Sequence, residues 1–119
     1  MQITKSLHSA LLISNLEKSQ HFYSTVLKLP KIERDLKFPG IWYQVGDFQL
    51  HLLLAKTIIP DAVDNAKWGR NRHLAFSVAN LEAAKQQLIA HNCQFQMSAS
   101  GRSALFTQDP DGNIIELSE

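Results

Sequence analysis

The sequence predicts an α+β fold made of two copies of one βαβββ module, and three observations carry that prediction. The apolar pattern passes from strand-like to helical spacing and back, twice, in the same order. The triplet Asn15-Leu16-Glu17 recurs as Asn80-Leu81-Glu82, an offset of 80 − 15 = 65. Both triplets stand at the junction where a strand gives way to a helix.

In the first module, residues 4–14 are rich in apolar and β-compatible types and read as a strand. Asn15 is a good N-cap. After it Leu16, Phe22, Tyr23, Val26 and Leu27 recur at helical spacing, with Glu17, Lys18 and Gln20 on the other side. Pro30 ends that helix. Strands are expected over 31–38, 41–45 and 48–54, with Pro39-Gly40 and Gly46-Asp47 as the turns between them. Residues 56–70 contain Pro60 and lack a clear period, so they read as a linker with room for a short helical turn. The order then begins again: a strand over 72–79, then a helix capped by Asn80 with Leu81, Ala84, Leu88 and Ile89 inward. Strands over 93–99 and 102–108, the turn Asp109-Pro110-Asp111-Gly112 and a last strand over 113–118 complete it. The expectation is a single domain of two modules, 1–55 and 71–119, joined by 56–70.

With 119 residues, 45% of them hydrophobic and 19% charged, the chain can bury a core and is neither disordered nor fibrous. The formal net charge of +1, with Lys and Arg scattered, argues against a nucleic-acid partner. No stretch approaches the roughly 20 apolar residues of a membrane span. Ala10 to Ile13 is too short for a signal segment, so a cytoplasmic location is expected by elimination. Cys93 stands alone, which excludes an internal disulfide, and it reads as a small buried apolar group.

The offset also fixes candidate site residues. His8 maps onto His73 (8 + 65), His51 onto Glu116 (51 + 65), Ala10 onto Ala75 and Leu52 onto Leu117. A single histidine in an apolar strand is most often a core residue. Three of five histidines falling in register with one glutamate tips the balance toward a site. His21 and His91 lie out of register and read as surface residues. Strand alternation places His8 with Ala10 and Leu12, His73 with Ala75 and Ser77, and Glu116 with Ile114 and Ser118. Polar groups set among small and apolar neighbours suit a bound cation. Two imidazoles and a carboxylate leave open positions on Fe(II), and the same set holds Mn, Ni, Zn or Co. His8, His73 and Glu116 are therefore the expected ligands of one divalent metal, with His51 a fourth ligand or a general acid/base. Trp42 and Gln44 share a face of one strand, as do Phe106 and Gln108 of its counterpart, and Arg70, Asn71 and Arg72 precede His73. Trp42, Gln44, Arg70 and Phe106 are the candidates for lining a substrate pocket, set against the plainer readings of core packing and solvated loop.

Two stretches, Asp109-Pro110-Asp111-Gly112-Asn113-Ile114-Ile115-Glu116-Leu117 and His8 to Tyr23, resemble the vicinal oxygen chelate superfamily, also called the glyoxalase/bleomycin resistance/dioxygenase family. Phe22-Tyr23 to Leu27-Lys28-Leu29 is similar to that family's FY…LGL helix end, with Lys28 where Gly is usual. The resemblance spans essentially the whole chain. It implies an eight-stranded cupped sheet around a divalent metal, with ligand positions matching His8, His51, His73 and Glu116. It also implies bidentate coordination of substrate oxygens, the metal stabilising an oxyanion or enediolate. Glyoxalase I has a carboxylate where this chain has His51, a departure from the lyase pattern. Extradiol dioxygenases and fosfomycin-modifying transferases use a His, His, Glu set, which His8, His73 and Glu116 satisfy. The expected activity is a dioxygenase or a lyase/isomerase acting on a small molecule; in the lyase/isomerase case, with His51 on the metal, the glyoxalase resemblance implies that Glu116 doubles as a base. The alternative is a non-catalytic binding protein of the bleomycin-resistance kind. Short members of the family are commonly homodimers, and a C2 dimer is expected.

Overall fold

Both helices start on the asparagines that the repeat singles out. Asn15 accepts a hydrogen bond from the Lys18 N–H (2.9 Å) and Asn80 from the Ala83 N–H (2.9 Å), each satisfying one orphan donor of a first turn. The structure, a computed structural model, describes Met1–Glu119 and divides into two compact units, Met1–Ile58 and Ile59–Glu119.

The first unit holds β1 (His8–Ile13), α1 (Leu16–Gln20), β2 (Lys31–Ile32), β3 (Gly40–Val45) and β4 (Phe48–Leu54). Its sheet order is β1-β4-β3-β2, with β1 parallel to β4 and the remaining pairs antiparallel. The second unit holds β5 (Leu74–Ser77), α2 (Leu81–Ala90), β6 (Phe95–Met97), β7 (Ala104–Gln108) and β8 (Ile114–Ser118), in the matching order β5-β8-β7-β6. The expected α+β class and the repeated βαβββ module are thus what the chain forms, as two four-stranded mixed sheets. Alternation along each strand gives every sheet a helix-covered face and an inner face. In the first unit Ile13, Ile41, Tyr43, Leu50 and Leu52 are buried, as are Phe22, Tyr23 and Val26 of the helical segment. Tyr43 also donates to or accepts from Ser24 Oγ at 2.7 Å. In the second, Leu105, Thr107, Ile115 and Leu117 are buried together with Leu81 and Leu88 of α2.

Three elements depart from the sequence reading. The first helix changes pitch: after Gln20, residues His21–Val26 form a π-helical turn. The expected strand over 31–38 is paired only at Lys31 and Ile32, opposite Tyr43 and Trp42. Its continuation is charged at Glu33, Arg34, Asp35 and Lys37, and short charged edges resist pairing with other chains. The first strand begins at His8 rather than Thr4, because β4, its only partner, offers Gln49 as the first register position. His21 is exposed, as read, whereas His91 is half-buried at the C-cap of α2.

Residues 59–73 are folded onto the second unit rather than slack. The Asp61 N–H donates to Gly112 O (3.0 Å), and the Asp61 carboxylate accepts from the Ile114 N–H (2.8 Å) and pairs with the Arg72 guanidinium. Trp68, at the start of a 3-10 turn (Trp68–Arg70), is buried against Phe106 and Ile114. Gly112 combines a positive φ of 81° with close contact to Pro60, where an added Cβ would lie 2.8 Å from the Pro60 Cβ.

Candidate functional site

On the inner face of the second unit, Glu116 of β8 sits between Ala75 of β5 and Phe106 of β7. Its neighbours Ile115 and Leu117 face the helix, so alternation leaves the carboxylate on the inner face, 6% exposed. Both carboxylate oxygens are engaged. Oε1 accepts from Arg102 Nη2 (2.8 Å), and Oε2 lies 3.0 Å from His73 Nε2. The other ring nitrogen of His73, Nδ1, lies 2.7 Å from the carbonyl oxygen of Asn71. A carbonyl only accepts, so Nδ1 carries a proton and donates it. Nε2 is thereby the ring nitrogen turned to the Oε2 atom of Glu116. The Phe106 ring meets the His73 ring edge-on, at 5.3 Å and 82°.

Asn71 holds this histidine in place because its own side chain is locked. Its Oδ1 accepts from the Val63 and Asp64 N–H groups (2.6 and 2.8 Å). Its Nδ2 donates to the carbonyls of Asp64 (2.8 Å), Lys67 (3.2 Å) and Trp68 (3.1 Å). A backbone carbonyl that takes one ring N–H, and so fixes the tautomer and the orientation of the other nitrogen, is the usual support of a metal-binding histidine.

On the inner face of the first unit, His51 of β4 occupies the equivalent register, between Ala10 of β1 and Trp42 of β3. Four planar groups stack there. The Arg34 guanidinium lies 4.0 Å from the Trp42 ring, Trp42 stacks on His51 at 3.6 Å and 7°, and His51 stacks on His8 at 4.2 Å and 17°. His51 Nε2 lies 2.9 Å from Gln49 Oε1, and Gln49 Nε2 donates to Gln44 Oε1 (3.0 Å). Gln44 Nε2 in turn donates to Gly46 O (2.6 Å), which ends the chain of amides in the turn. Burial pushes the His51 pKa down, and the nearby His8 and Arg34 push it the same way, so the ring is neutral at pH 7.

The structure therefore brings His73 together with Glu116 and His8 together with His51, each pair within its own unit. No group of three or more His, Cys, Asp or Glu side chains is gathered to hold a metal. As donors, His73 and Glu116 fit a divalent cation: the ring is preset and the carboxylate faces it. The nearly parallel rings of His8 and His51 keep their lone pairs in two separate stacked planes, which suits stacking better than convergence on one ion. Trp42 belongs to the stack and Gln44 to the amide chain, while Phe106 borders His73 and Arg70 lies exposed at the end of the 3-10 turn. Sequence reasoning missed Arg102, Gln49 and Arg34. The β3-to-β7 register runs at an offset of 64, which sets Phe38 at the position matching Arg102, so the repeat gives no cationic signal for it.

No helix is long and apolar enough to cross a membrane. Among solved structures the chain is similar to a candidate glyoxalase family protein from Bacillus anthracis, at 21% identity and a TM-score of 0.81, covering 98% of this chain and 95% of that one. It is likewise similar to the genomically encoded fosfomycin resistance protein FosX from Listeria monocytogenes (12% identity, TM-score 0.77, 99% and 92% covered). A lactoylglutathione lyase from Agrobacterium tumefaciens also matches (17% identity, TM-score 0.70, 98% and 93% covered). At these identities the likeness is one of fold. No curated protein matches the chain in sequence. A family model does, over residues 5–117, and with the two βαβββ units it makes the assignment: the chain belongs to the Glyoxalase/Bleomycin resistance protein/Dioxygenase superfamily.

Proposed function

We propose that the protein is a metal-dependent enzyme of this superfamily, chelating a small substrate with vicinal oxygens in a lyase/isomerase or dioxygenase reaction. One observation carries the reading: His73 Nε2 faces Glu116 Oε2 at 3.0 Å, with the ring already fixed by the Asn71 carbonyl. His73 and Glu116 are the residues that would hold a divalent cation (Fe, Mn, Ni, Zn or Co). When bound, it would supply Lewis acidity to a substrate oxygen. The chain's own contributions are a carboxylate, Glu116, kept in place by Arg102, and a neutral imidazole, His51. With Nε2 of His51 facing an amide oxygen, Nδ1 is the atom that takes up a proton.

Elemental analysis after gentle anaerobic purification tests this. Bound metal should be lost in Glu116→Ala and His73→Ala and kept in His21→Ala. His8→Ala and His51→Ala show whether the first-module histidines also contribute, as the sequence led us to expect. Oxygen uptake with catechols by the Fe(II) protein would mark a dioxygenase. Isomerisation of a thiol–2-oxoaldehyde adduct by the Ni(II), Co(II) or Zn(II) protein would mark a lyase. Stoichiometric metal in Glu116→Ala would refute the assignment.

A second reading has an observation of its own. Both oxygens of Glu116 and the Nε2 of His51 have protein partners, so these polar groups are satisfied without a cation. A protein that binds a small molecule and turns nothing over fits that pattern. Tight small-molecule binding by protein that takes up no metal would select it. We further propose a homodimer, which light scattering at micromolar concentration checks.

A further inference from the structure

The second unit contains a cavity of about 740 Å³ whose walls include Lys67, Trp68, Arg70, Ser98, Arg102 and Phe106. Three cationic side chains line it, and no carboxylate does. Lys67 and Arg70 form no ion pair. The acid nearest them in sequence, Asp64, turns its Oδ1 to the N–H groups of Ala66 and Lys67 (3.0 and 3.1 Å). Arg102 spends one N–H on Glu116 and another on Ser100 Oγ (3.3 Å), which leaves the rest of its five donors for another acceptor.

The wall that carries Lys67 and Arg70 is fixed in advance. The Trp68 N–H donates to Gln96 Oε1 (3.0 Å), and Gln96 Nε2 donates to Ala66 O (3.3 Å). Gly69 lies on the Phe106 ring, so close that an added Cβ would fall 2.7 Å from Phe106 Cζ. Lys67, Arg70 and Arg102 are exposed cations lining one cavity, so like charges face a common space that an anion would neutralise. Beside them the exposed Met97 side chain, with the edges of the largely buried Trp68 and Phe106, gives the cavity an apolar wall.

We propose that this cavity binds the oxyanion end of the substrate, a carboxylate or a phosphonate carried on an apolar group. The proposal deepens the enzyme reading above, on which it rests for the word substrate. It assigns Lys67 and Arg70 as charge partners and Arg102 as the link between the oxyanion and Glu116.

The test is titration of the full chain, in chelator and at low salt, with phenylphosphonate, methylphosphonate and benzoate, followed by calorimetry or amide chemical shifts. Phenylphosphonate should bind more tightly than methylphosphonate by about 2- to 10-fold, the effect of one aromatic contact. The doubly mutated Lys67→Gln/Arg70→Gln protein should bind it at least about tenfold more weakly, the loss expected for charge-assisted hydrogen bonds. Glu116→Gln, which releases Arg102, should bind it more tightly. Benzoate binding as tightly as phenylphosphonate would point to a carboxylate substrate, and weaker binding to a phosphonate or phosphate. Unchanged affinity in Lys67→Gln/Arg70→Gln, or shifts confined to residues outside the cavity, would overturn the proposal. Metal content separates the two readings. Lys67→Gln/Arg70→Gln should retain whatever metal the wild type holds, and phenylphosphonate binding should persist in chelator even if the metal reading fails.

Discussion

Two units with one strand order place chemically different residues at one register point. His51 stands between Ala10 and Trp42, and Glu116 between Ala75 and Phe106. Each has an arginine nearby, yet the arginines act differently. Arg34 lies over the Trp42 ring, and its charge helps hold His51 neutral within a stack of planar groups. Arg102 reaches the carboxylate itself and bonds to it. The backbone repeat fixes where the central residue stands. The residue beside it in each unit decides whether the position is a neutral stacked ring or one corner of an ionic cluster.

The largest effect that tests this contrast is Glu116→Ala, which leaves His73 and Arg102 facing a void. It should lower stability by about 2–4 kcal/mol, at the lower end because both partners reach solvent. His51→Ala should lower it by only about 1–2 kcal/mol, the loss of stacking and packing. Urea unfolding of both variants checks the order, and equal losses would erase the distinction. Gly69→Ala, which presses a methyl into Phe106, should cost about 1–3 kcal/mol.

The pH dependence sharpens the comparison further. His51 takes up a proton less readily when folded than at its ordinary value of 6.5. Above 6.5 its contribution to stability is fully present. As the pH falls below that value, the unfolded chain gains a proton that the folded chain resists, and the contribution is lost down to the lowered folded value. His51→Phe keeps a planar ring and should flatten this decline, measured as urea midpoints at about pH 7.5 and 5.5. The smallest effect is at the helix ends. Lys28 has a φ of 58°, which explains why Gly is usual there in the family it resembles, while the matching cap of α2 has Asn92 at 57°. Lys28→Gly should stabilise by about 0.5–1 kcal/mol. That corresponds to a rise of about 2–4 °C in Tm by calorimetry, with a smaller change for Asn92→Gly.

The first and last strands of each module were legible because a single offset governs them. The pair Ala10 and His51 becomes Ala75 and Glu116, each shifted by 65. Between them the offset is 64: Trp42 opposite His51 becomes Phe106 opposite Glu116, and 106 − 42 = 64. The first helix holds the additional residue, since 28 − 15 = 13 positions separate Asn15 from Lys28 and 92 − 80 = 12 separate Asn80 from Asn92. The π-helical turn takes it up. The second hairpin restores the offset by placing five residues between Gln108 and Ile114 where the first has four between Gln44 and Gln49. Periodicity alone cannot show a change of pitch in a helix whose buried face stays apolar. Nor could it show Arg102 or Trp68. One repeat earlier stand Phe38 (102 − 64) and Ile3 (68 − 65), so neither has an equivalent, and their partners lie far along the chain. The sequence expected four ligands as one set; the structure pairs His73 with Glu116 and stacks His8 on His51.

The ties around Asp61 have a consequence for anyone dividing the gene. The sequence suggests starting a second-module fragment at residue 71, but that cut discards Asp61, Trp68 and the contact of Pro60 with Gly112. It would leave the Ile114 N–H without its acceptor and the inner side of Phe106 bare. A fragment beginning at Ile59 carries these groups with it, so codon 59 is the better splice point for module shuffling, fragment complementation or circular permutation.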